Sequence, residues 1–187
     1  MIKAVVIGAS YGGMEAIELI LNELPAITVP VIIVLHIGNN NINSFLELLN
    51  KKHTVKEVEE DETIIAGKIY FAPPNYHLQV ENENSFSLST AEKVNFSRPS
   101  IDVLFETAAW TFKDKLLGIL LTGSNSDGAE GLKTIKKFGG TTIVENPETA
   151  FAKAMPLSGI KKSTPDFILN LEEIAEKIVE LTTSTLV

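Results

Sequence analysis

The sequence contains no cysteine and only three histidines, and both facts limit the chemistry open to it. Without cysteine there is no disulfide bond, no thiolate nucleophile and no sulfur-rich metal site. Any catalysis must therefore use oxygen and nitrogen groups. With three histidines, the candidates for a catalytic imidazole are few enough to weigh one by one.

Basic residues are outnumbered as well. The 187 residues include 16 Lys and Arg against 24 Asp and Glu, which gives a net charge of −8. Surfaces that bind nucleic acid or anionic membranes need clustered Lys and Arg. We therefore expect a protein or small-molecule partner and no nucleic acid.

Long apolar runs are missing too. No run approaches the roughly 18 apolar residues of a membrane span, and the first ten residues lack the features of a secretory signal. These absences predict a cytoplasmic protein without membrane insertion. Hydrophobic residues make up 44% of the chain, which is enough for one buried core. We expect a single domain over residues 1–187, with a frayed tail at 182–187.

Strand and helix patterns alternate along this chain. Apolar runs at 4–7, 31–35 and 116–122 are each followed by a glycine-rich or polar turn and then by apolar residues at helical spacing. Between them, 77–81 and 85–89 alternate with a period of two and predict an antiparallel hairpin. The pattern predicts an α/β fold: a doubly wound, mostly parallel sheet with an inserted antiparallel hairpin and helices on both faces.

Three polar residues follow the three long apolar strands. Ser10 comes after the first, His36 after the second and Asp127 after the third. In an open α/β sheet, ligands bind at the carboxyl ends of the strands. Serine, histidine and aspartate are the residue types of a hydrolytic triad, in which the imidazole takes the serine proton and the carboxylate orients the imidazole. We expect these three side chains to meet.

Other residues offer weaker candidates. His53 lies in a charged segment and is expected at the surface, whereas His77 precedes a hairpin strand and either lines a pocket or anchors a loop. Asp102 falls in the first turn of a helix, where a negative charge suits the helix dipole. Taken alone, Asp127 could equally be the N-cap of the helix that follows it.

The segment GASYGG, residues 8–13, has two incompatible interpretations. A dinucleotide fingerprint requires GxGxxG and an acidic residue after the second strand, and a Walker A loop requires Gly-Lys-Ser/Thr; neither is present. The alternative is a nucleophile turn, in which the N–H groups of Gly12 and Gly13 stabilise an oxyanion. GxSxG also matches the nucleophile elbow of α/β-hydrolases, but there the acid precedes the histidine. The order serine, histidine, aspartate indicates a different lineage.

These residues resemble the catalytic domain of the chemotaxis protein-glutamate methylesterases, CheB. The resemblance implies that Ser10, His36 and Asp127 form the triad and that methyl esters of glutamate side chains on the cytoplasmic helices of chemoreceptors are the substrate. It also implies methanol as a product, glutamine deamidation as a possible second activity, and no metal or organic cofactor. The matching segments are VVIGASYGGMEAI, LH at His36, AGKIYFAPPNYHLQV, RPSIDVLF, GILLTGSNSDGAEG and FAKAMP.

Some positions depart from the family pattern. The family usually reads LTGMGxDG, where this chain has Ser124 and Asn125. The methionine position contributes to the family's oxyanion pocket, and asparagine tolerates a left-handed backbone that could preserve the turn. Tyr11 is bulkier than the usual residue and is a candidate gate. His77 and Arg98 fall in matching motifs, so they either line the site or anchor loops.

The family's N-terminal phosphoacceptor domain has no counterpart in this sequence, because the nucleophile turn begins within ten residues of Met1. The chain is then a constitutive enzyme, an enzyme regulated in trans, or a fragment. Two other functions stay open: a weakly active or inactive member that binds receptors as a signalling module, and a hydrolase of another small ester or amide. The oligomeric state is left open.

Overall fold

The computed structural model describes residues 1–37, 42–81 and 85–183. The strands are β1 (Ala4–Ala9), β2 (Val31–Leu35), β3 (Thr54–Glu57), β4 (Lys68–Phe71), β5 (His77–Val80), β6 (Phe86–Ser89), β7 (Leu116–Leu120), β8 (Thr141–Glu145) and β9 (Phe167–Leu169). The helices are α1 (Gly13–Glu23), α2 (Asn43–Leu49), α3 (Ile101–Phe112), α4 (Ala129–Lys137), α5 (Ala154–Ser163) and α6 (Leu171–Thr182).

The main sheet is parallel, with the strand order β3-β4-β2-β1-β7-β8-β9. β1 lies at the centre, and the chain winds outward from it in both directions. Val5 pairs with Val31 of β2 on one side and with Leu117 of β7 on the other. Every residue of β1, β2 and β7 is buried, because both faces of these strands are covered by helices. The predicted doubly wound parallel sheet is confirmed.

Successive side chains of β1 enter two different cores. Val5 and Ile7 pack in a core with Ile17 of α1 and Ile174 of α6, whereas Val6 belongs to the opposite core. This division follows from the period of two in a strand. The helices α1, α2 and α6 cover one face, and α3, α4 and α5 cover the other.

The inserted hairpin is also confirmed. β5 and β6 pair antiparallel from His77–Ser89 to Val80–Phe86 and form a separate small sheet against α3. The N–H of Val80 donates to Thr107 Oγ1 of α3 at 3.2 Å. Residues 82–84, which connect the two strands, lie outside the described residues.

Part of the predicted frayed tail, residues 182–183, belongs to the described part of the chain. Helix α6 extends to Thr182, which is buried and whose Oγ1 donates to the carbonyl of Ile178 at 2.7 Å. Residues 184–187 lie outside the described residues, so the predicted fraying stays a prediction there. No helix in the described ranges is long and apolar enough to cross a membrane.

Candidate active site

The backbone brings the predicted triad residues to one edge of the sheet. Ser10 follows β1 and His36 follows β2, and these strands are neighbours in register, with Ala9 paired to Leu35. The N–H of His36 donates to the carbonyl of Ala9 at 3.0 Å, and the N–H of Ser10 donates to that of Thr122, just beyond β7, at 2.9 Å. The carboxyl ends of three adjacent strands are therefore joined where the side chains emerge.

His36 and Asp127 are in direct contact. His36 Nε2 lies 3.1 Å from Asp127 Oδ2, with the aspartate side chain fully buried and the histidine side chain 14% exposed. The N–H direction is poorly aligned with the carboxylate, so the contact is close in distance without being a well-formed hydrogen bond. Catalytic contacts of this kind are often misaligned before substrate binds.

The carboxylate of Asp127 lies at the N-terminus of α3. It accepts hydrogen bonds from Ser100 Oγ at 2.8 Å, from the N–H of Ile101 at 2.7 Å and from the N–H of Asp102 at 3.1 Å. Burial alone would raise its pKa, but His36 and these backbone donors outweigh burial and hold the pKa below its ordinary value. The group is therefore a buried carboxylate that stays charged.

The structure shows that Asp127 is not the N-cap of the helix that follows it. The N-cap of the following helix, α4, is Gly128 with φ +92°, and no side chain caps that helix. Asp127 instead stabilises the orphan N–H groups of α3, a helix that precedes it in the chain, while also contacting His36. The same carboxylate thus has a structural contact on one side and a candidate catalytic contact on the other.

Ser10 and His36 are close in the fold but form no hydrogen bond with each other within the described ranges. Because His36 Nε2 faces Asp127, Nδ1 is the nitrogen left to accept a serine proton. Nδ1 lies 3.5 Å from Asn125 Nδ2. Asn125 Oδ1 accepts the N–H of Asp127 at 3.0 Å, which turns the amide nitrogen toward the imidazole. An amide donor at Nδ1 favours the tautomer with hydrogen on Nε2.

The structure gives Asn125 a different role from the one expected from the sequence. We expected it to tolerate left-handed geometry, but it does not adopt a positive φ; Gly128 does. Its side chain instead bridges the histidine and the aspartate loop. Sequence reasoning missed this contact, although its position two residues before Asp127 permits it. Ser124 is exposed beside it.

The two glycines of the nucleophile turn differ. Gly12 has φ +82° and is the N-cap of α1, and none of the described residues accepts a hydrogen bond from its N–H. The N–H of Gly13, in contrast, donates to the carbonyl of Ser10 at 2.8 Å. A Cβ on Gly13 would lie 2.7 Å from both Ala9 Cβ and Leu35 Cδ1, so Gly13 permits close packing of helix on sheet. Because the N–H of Gly13 is already bonded, Gly12 is the better placed of the two predicted oxyanion donors, and this role stays a prediction.

His77 anchors a loop. It is buried, its Nδ1 accepts from the N–H of Ser100 at 3.2 Å, and its Nε2 donates to the carbonyl of Glu92 at 2.9 Å. Each ring nitrogen thus has a structural partner. Because Ser100 Oγ also donates to Asp127, His77 supports the aspartate indirectly, through Ser100. His53, expected at the surface, is half-buried and bonds the carbonyl of Leu21 at 2.7 Å.

Arg98 both anchors a loop and borders a cavity. Its Nη1 donates to the carbonyls of Thr90 and Ala91 at 2.8 and 2.9 Å. The cavity has a volume of about 210 Å³ and opens beside His36. Its polar and aromatic lining includes His36, Asn75, Lys93, Phe96, Ser97 and Arg98.

Tyr11 is exposed next to Ser10, the candidate nucleophile. Its ring packs edge to face on Phe151, with the ring centroids 5.0 Å apart. Phe151 lies in the loop before α5, and Pro156 lies in the first turn of that helix, where proline is tolerated.

Two further carboxyl groups are buried near the site. Asp102 is buried rather than merely placed at a helix N-terminus, and its burial and the charge of Asp127 raise its pKa to about 6. Glu145 accepts the N–H of Thr122 at 2.7 Å, and burial raises its pKa to about 7. In the part of the chain that the structure describes, no group of three or more His, Asp or Glu side chains is arranged to hold a metal ion.

Comparisons with known proteins agree with this architecture. The model of the CheB methylesterase family matches residues 5–178. A Leptospira interrogans protein is 50% identical over 182 residues, and the match covers 96% of this chain and 94% of that protein. Its name describes it as a proposed protein-glutamate methylesterase/protein-glutamine glutaminase.

A Thermotoga maritima protein-glutamate methylesterase/protein-glutamine glutaminase is 35% identical over 185 residues, and the match covers 96% of this chain but 54% of that protein. The crystal structure of the Thermotoga maritima CheB methylesterase catalytic domain superposes with a TM-score of 0.91 at 35% identity and covers 97% of this chain and 99% of that one. The chain belongs to the CheB methylesterase family.

Proposed function

We propose that the protein is a serine hydrolase that demethylates glutamate methyl esters on the cytoplasmic helices of chemoreceptors, releases methanol, and thereby acts in chemotactic adaptation. The observation that carries this proposal is the charged, buried Asp127 in contact with His36 at the same sheet edge as Ser10. Family membership supplies the substrate class, and deamidation of glutamine at such sites is the proposed second activity.

The proposed reaction begins with attack by Ser10 Oγ on the ester carbonyl carbon while His36 Nδ1 takes the serine proton. The tetrahedral oxyanion accepts a hydrogen bond from the N–H of Gly12, at the positive end of α1. When the C–O bond to the methoxy group breaks, His36 returns the proton and methanol leaves. Water then attacks the acyl-enzyme, again with His36 as base, and releases glutamate and free Ser10.

Asp127 has a defined part in this scheme. The imidazolium formed in each half-reaction faces a carboxylate whose charge is maintained by the N-terminus of α3. This arrangement stabilises the cation and keeps the Nε2–H tautomer, which leaves Nδ1 free to accept a proton. The ring nitrogens are then used in the reverse of the chymotrypsin order, in which Nε2 faces the serine.

Substrate binding must complete the geometry, since Ser10 and His36 form no hydrogen bond with each other. Asn125 lies at the long distance of 3.5 Å from His36 Nδ1, and it is the group that a closer serine hydroxyl would displace. The displaced amide keeps its bond to the N–H of Asp127. The proposed triad therefore requires Ser10 Oγ to take the place of the Asn125 amide at His36 Nδ1.

Two observations favour a second candidate function. The misaligned contact between His36 and Asp127 and the missing serine contact are also what an inactive, receptor-binding family member would have. In that case the protein would bind the same receptor segment without turnover.

The decisive measurement is methanol release from a methylated receptor cytoplasmic fragment by wild-type protein and by Ser10→Ala. We expect the variant to lose at least 10³-fold in kcat/KM while its thermal stability is unchanged. Ser44→Ala, which removes an exposed hydroxyl on α2, is the matched control and should keep wild-type activity.

Wild-type release no greater than that of Ser10→Ala, together with receptor binding by both, would identify a binding module. A parallel panel of small methyl esters and amides covers the narrower alternative. Turnover of those compounds without turnover of the receptor would assign another substrate.

A further inference from the structure

Two aromatic side chains stand exposed beside the nucleophile. Tyr11 is 63% exposed and Phe151 is 70% exposed, although their rings contact each other edge to face. Single exposed apolar residues are common on protein surfaces. Tyr11 directly follows Ser10, and its ring and the ring of Phe151 form a continuous apolar surface, which we call the aromatic wall.

The backbone beneath this wall is held in place from inside the protein. Thr122 is buried, its Oγ1 donates to the carbonyl of Tyr11 at 2.9 Å, and the same oxygen accepts the N–H of Ala152 at 2.8 Å. The loop of Phe151 is also joined to the β7 end by the N–H of Gly123, which donates to Ala152 O at 3.0 Å. One buried hydroxyl therefore connects the two loops that carry the rings.

Phe151 also lies against the proposed oxyanion donor. A Cβ added to Gly12 would be 2.7 Å from Phe151 Cβ and 2.8 Å from its ring. The backbone of Gly12, with φ +82°, is thus covered on one side by the Phe151 side chain. A substrate whose ester carbonyl approaches Gly12 and Ser10 must pass along this ring.

The dimensions of the aromatic wall suit a helical substrate. On a helix, side chains three or four positions apart are neighbours about 5–6 Å apart. The ring centroids of Tyr11 and Phe151 are separated by 5.0 Å. When an esterified glutamate reaches Ser10, apolar side chains one turn away on the same helix face can lie on the two rings.

The net charge of the protein does not favour long-range attraction of an acidic partner. The net charge is −8, so long-range electrostatics do not attract a glutamate-bearing partner. Neither ring carries a charge. Apolar contact is therefore the source of affinity that this part of the surface offers.

We propose that Tyr11 and Phe151 determine specificity by binding the apolar side chains that flank the modified glutamate on a helical protein substrate, so that the enzyme selects protein over small esters. This inference rests on the proposed function, because it concerns the substrate of that same site. It replaces the idea of Tyr11 as a gate with that of a fixed contact surface, to which Phe151 contributes equally.

The test compares two substrates with four variants. Methanol release is measured from the methylated receptor fragment and from a small glutamate γ-methyl ester that is too short to reach both rings. The variants are Phe151→Leu, Phe151→Ala, the double variant Tyr11→Ala/Phe151→Ala, and Trp110→Ala. Trp110 is 57% exposed near the C-terminal end of α3, so its variant removes a similar exposed aromatic ring away from the sheet edge.

We expect the ratio of kcat/KM for the receptor fragment to kcat/KM for the small ester to fall about tenfold or more in the double variant, mainly through KM for the receptor. Phe151→Leu keeps Cβ and Cγ over Gly12, so it should preserve the turn and show a smaller fall than Phe151→Ala. Trp110→Ala should keep the wild-type ratio.

A ratio within about twofold of wild type in the double variant would overturn the aromatic wall, and so would an equal loss on both substrates, which would place the rings in the reaction itself. Absence of methanol release by the wild-type protein would contradict the proposed function and this inference together. An active wild type with an unchanged ratio would contradict this inference alone.

Discussion

Asp127 and Glu145 are both buried carboxyl groups behind the edge of the sheet where Ser10 and His36 lie, and they differ in charge. Asp127 is fully buried and Glu145 is 1% exposed, so burial penalises the charge of both. Yet the pKa of Asp127 is held below its ordinary value, whereas burial raises that of Glu145 to about 7. The difference between them must come from their hydrogen-bond partners.

The partners are unequal in number and kind. Asp127 accepts from two N–H groups at the N-terminus of α3 and from the hydroxyl of Ser100, and it contacts His36. Glu145 accepts the N–H of Thr122. A buried carboxylate keeps its charge when several donors point at it, and one donor does not compensate for desolvation. The neighbour of the histidine is therefore ionised, and the group behind the serine loop is close to half-protonated near neutral pH.

The largest expected effect comes from removing the charge of Asp127. Asp127→Asn keeps the size of the side chain but removes the carboxylate that stabilises the imidazolium and fixes its tautomer. We expect kcat/KM for methanol release to fall by about 10³-fold or more. Steady-state kinetics on the methylated receptor fragment measure this.

The same variant should lose stability, because an amide stabilises the N-terminus of α3 less than a charge does. Since the folded-state pKa of Asp127 lies below the unfolded value of 3.8, its contribution is present above that value and is lost as the pH falls. The difference in unfolding free energy between wild type and variant should thus shrink below pH 4. A full loss of activity without any change in stability would contradict the dual role of Asp127.

The sequence predicted the part of this site that depends on strand order. Parallel neighbouring strands must place Ser10 and His36 at one edge, and that follows from local patterns alone. Local sequence patterns could not predict the contacts between segments that are distant in the chain. Asp127 binds the start of α3, more than twenty residues earlier in the chain, and no local pattern distinguishes this from an ordinary N-cap.

The sequence alone also could not predict the environments of individual side chains. The sequence alone does not show that Phe151 lies exposed in the loop before α5, in contact with Tyr11. The sequence predicts an oxyanion donor at Gly13, but it does not show that the N–H of this residue bonds the carbonyl of Ser10. Each outcome depends on backbone directions set by packing, not by residue type.

The next prediction concerns the contrasting carboxyl group. Glu145→Gln keeps an acceptor for the N–H of Thr122 and removes the titration. Because the folded pKa of about 7 lies above the ordinary value of 4.5, the folded wild type binds more protons than the unfolded chain between these values. The contribution of Glu145 to stability therefore falls as the pH rises from 4.5 to 7.

Glu145→Gln should abolish this loss, so that the variant is more stable than wild type at pH 8 by about 1–3 kcal/mol and similar to it at pH 4. Urea unfolding across this pH range measures the difference. Glu148→Gln makes the same change at an exposed position and should leave the pH profile of wild type unaltered. Parallel profiles for wild type and Glu145→Gln would show that folding does not raise the pKa of Glu145, and would contradict the contrast with Asp127.

The prediction with the smallest expected effect concerns how many hydrogen-bond donors Asp127 needs to stay charged. Ser100 Oγ donates to Asp127 at 2.8 Å and accepts the N–H of Val103 at 3.5 Å as the N-cap of α3. Ser100→Ala should lower the free energy of unfolding by about 1–2 kcal/mol, the usual cost of losing a cap together with one hydrogen bond to a charged group. Because the N–H groups of Ile101 and Asp102 remain, activity should fall far less than in Asp127→Asn, by about tenfold or less.

Asn170→Ala is the matched control, since Asn170 caps α6 through a capping box with Glu173 and binds neither His36 nor Asp127. It should cost similar stability, about 1 kcal/mol, and leave methanol release unchanged. If Ser100→Ala reduces activity as severely as Asp127→Asn, the backbone donors of α3 do not suffice to keep Asp127 charged. The contrast with Glu145 would then depend on a single hydroxyl group rather than on the helix N-terminus.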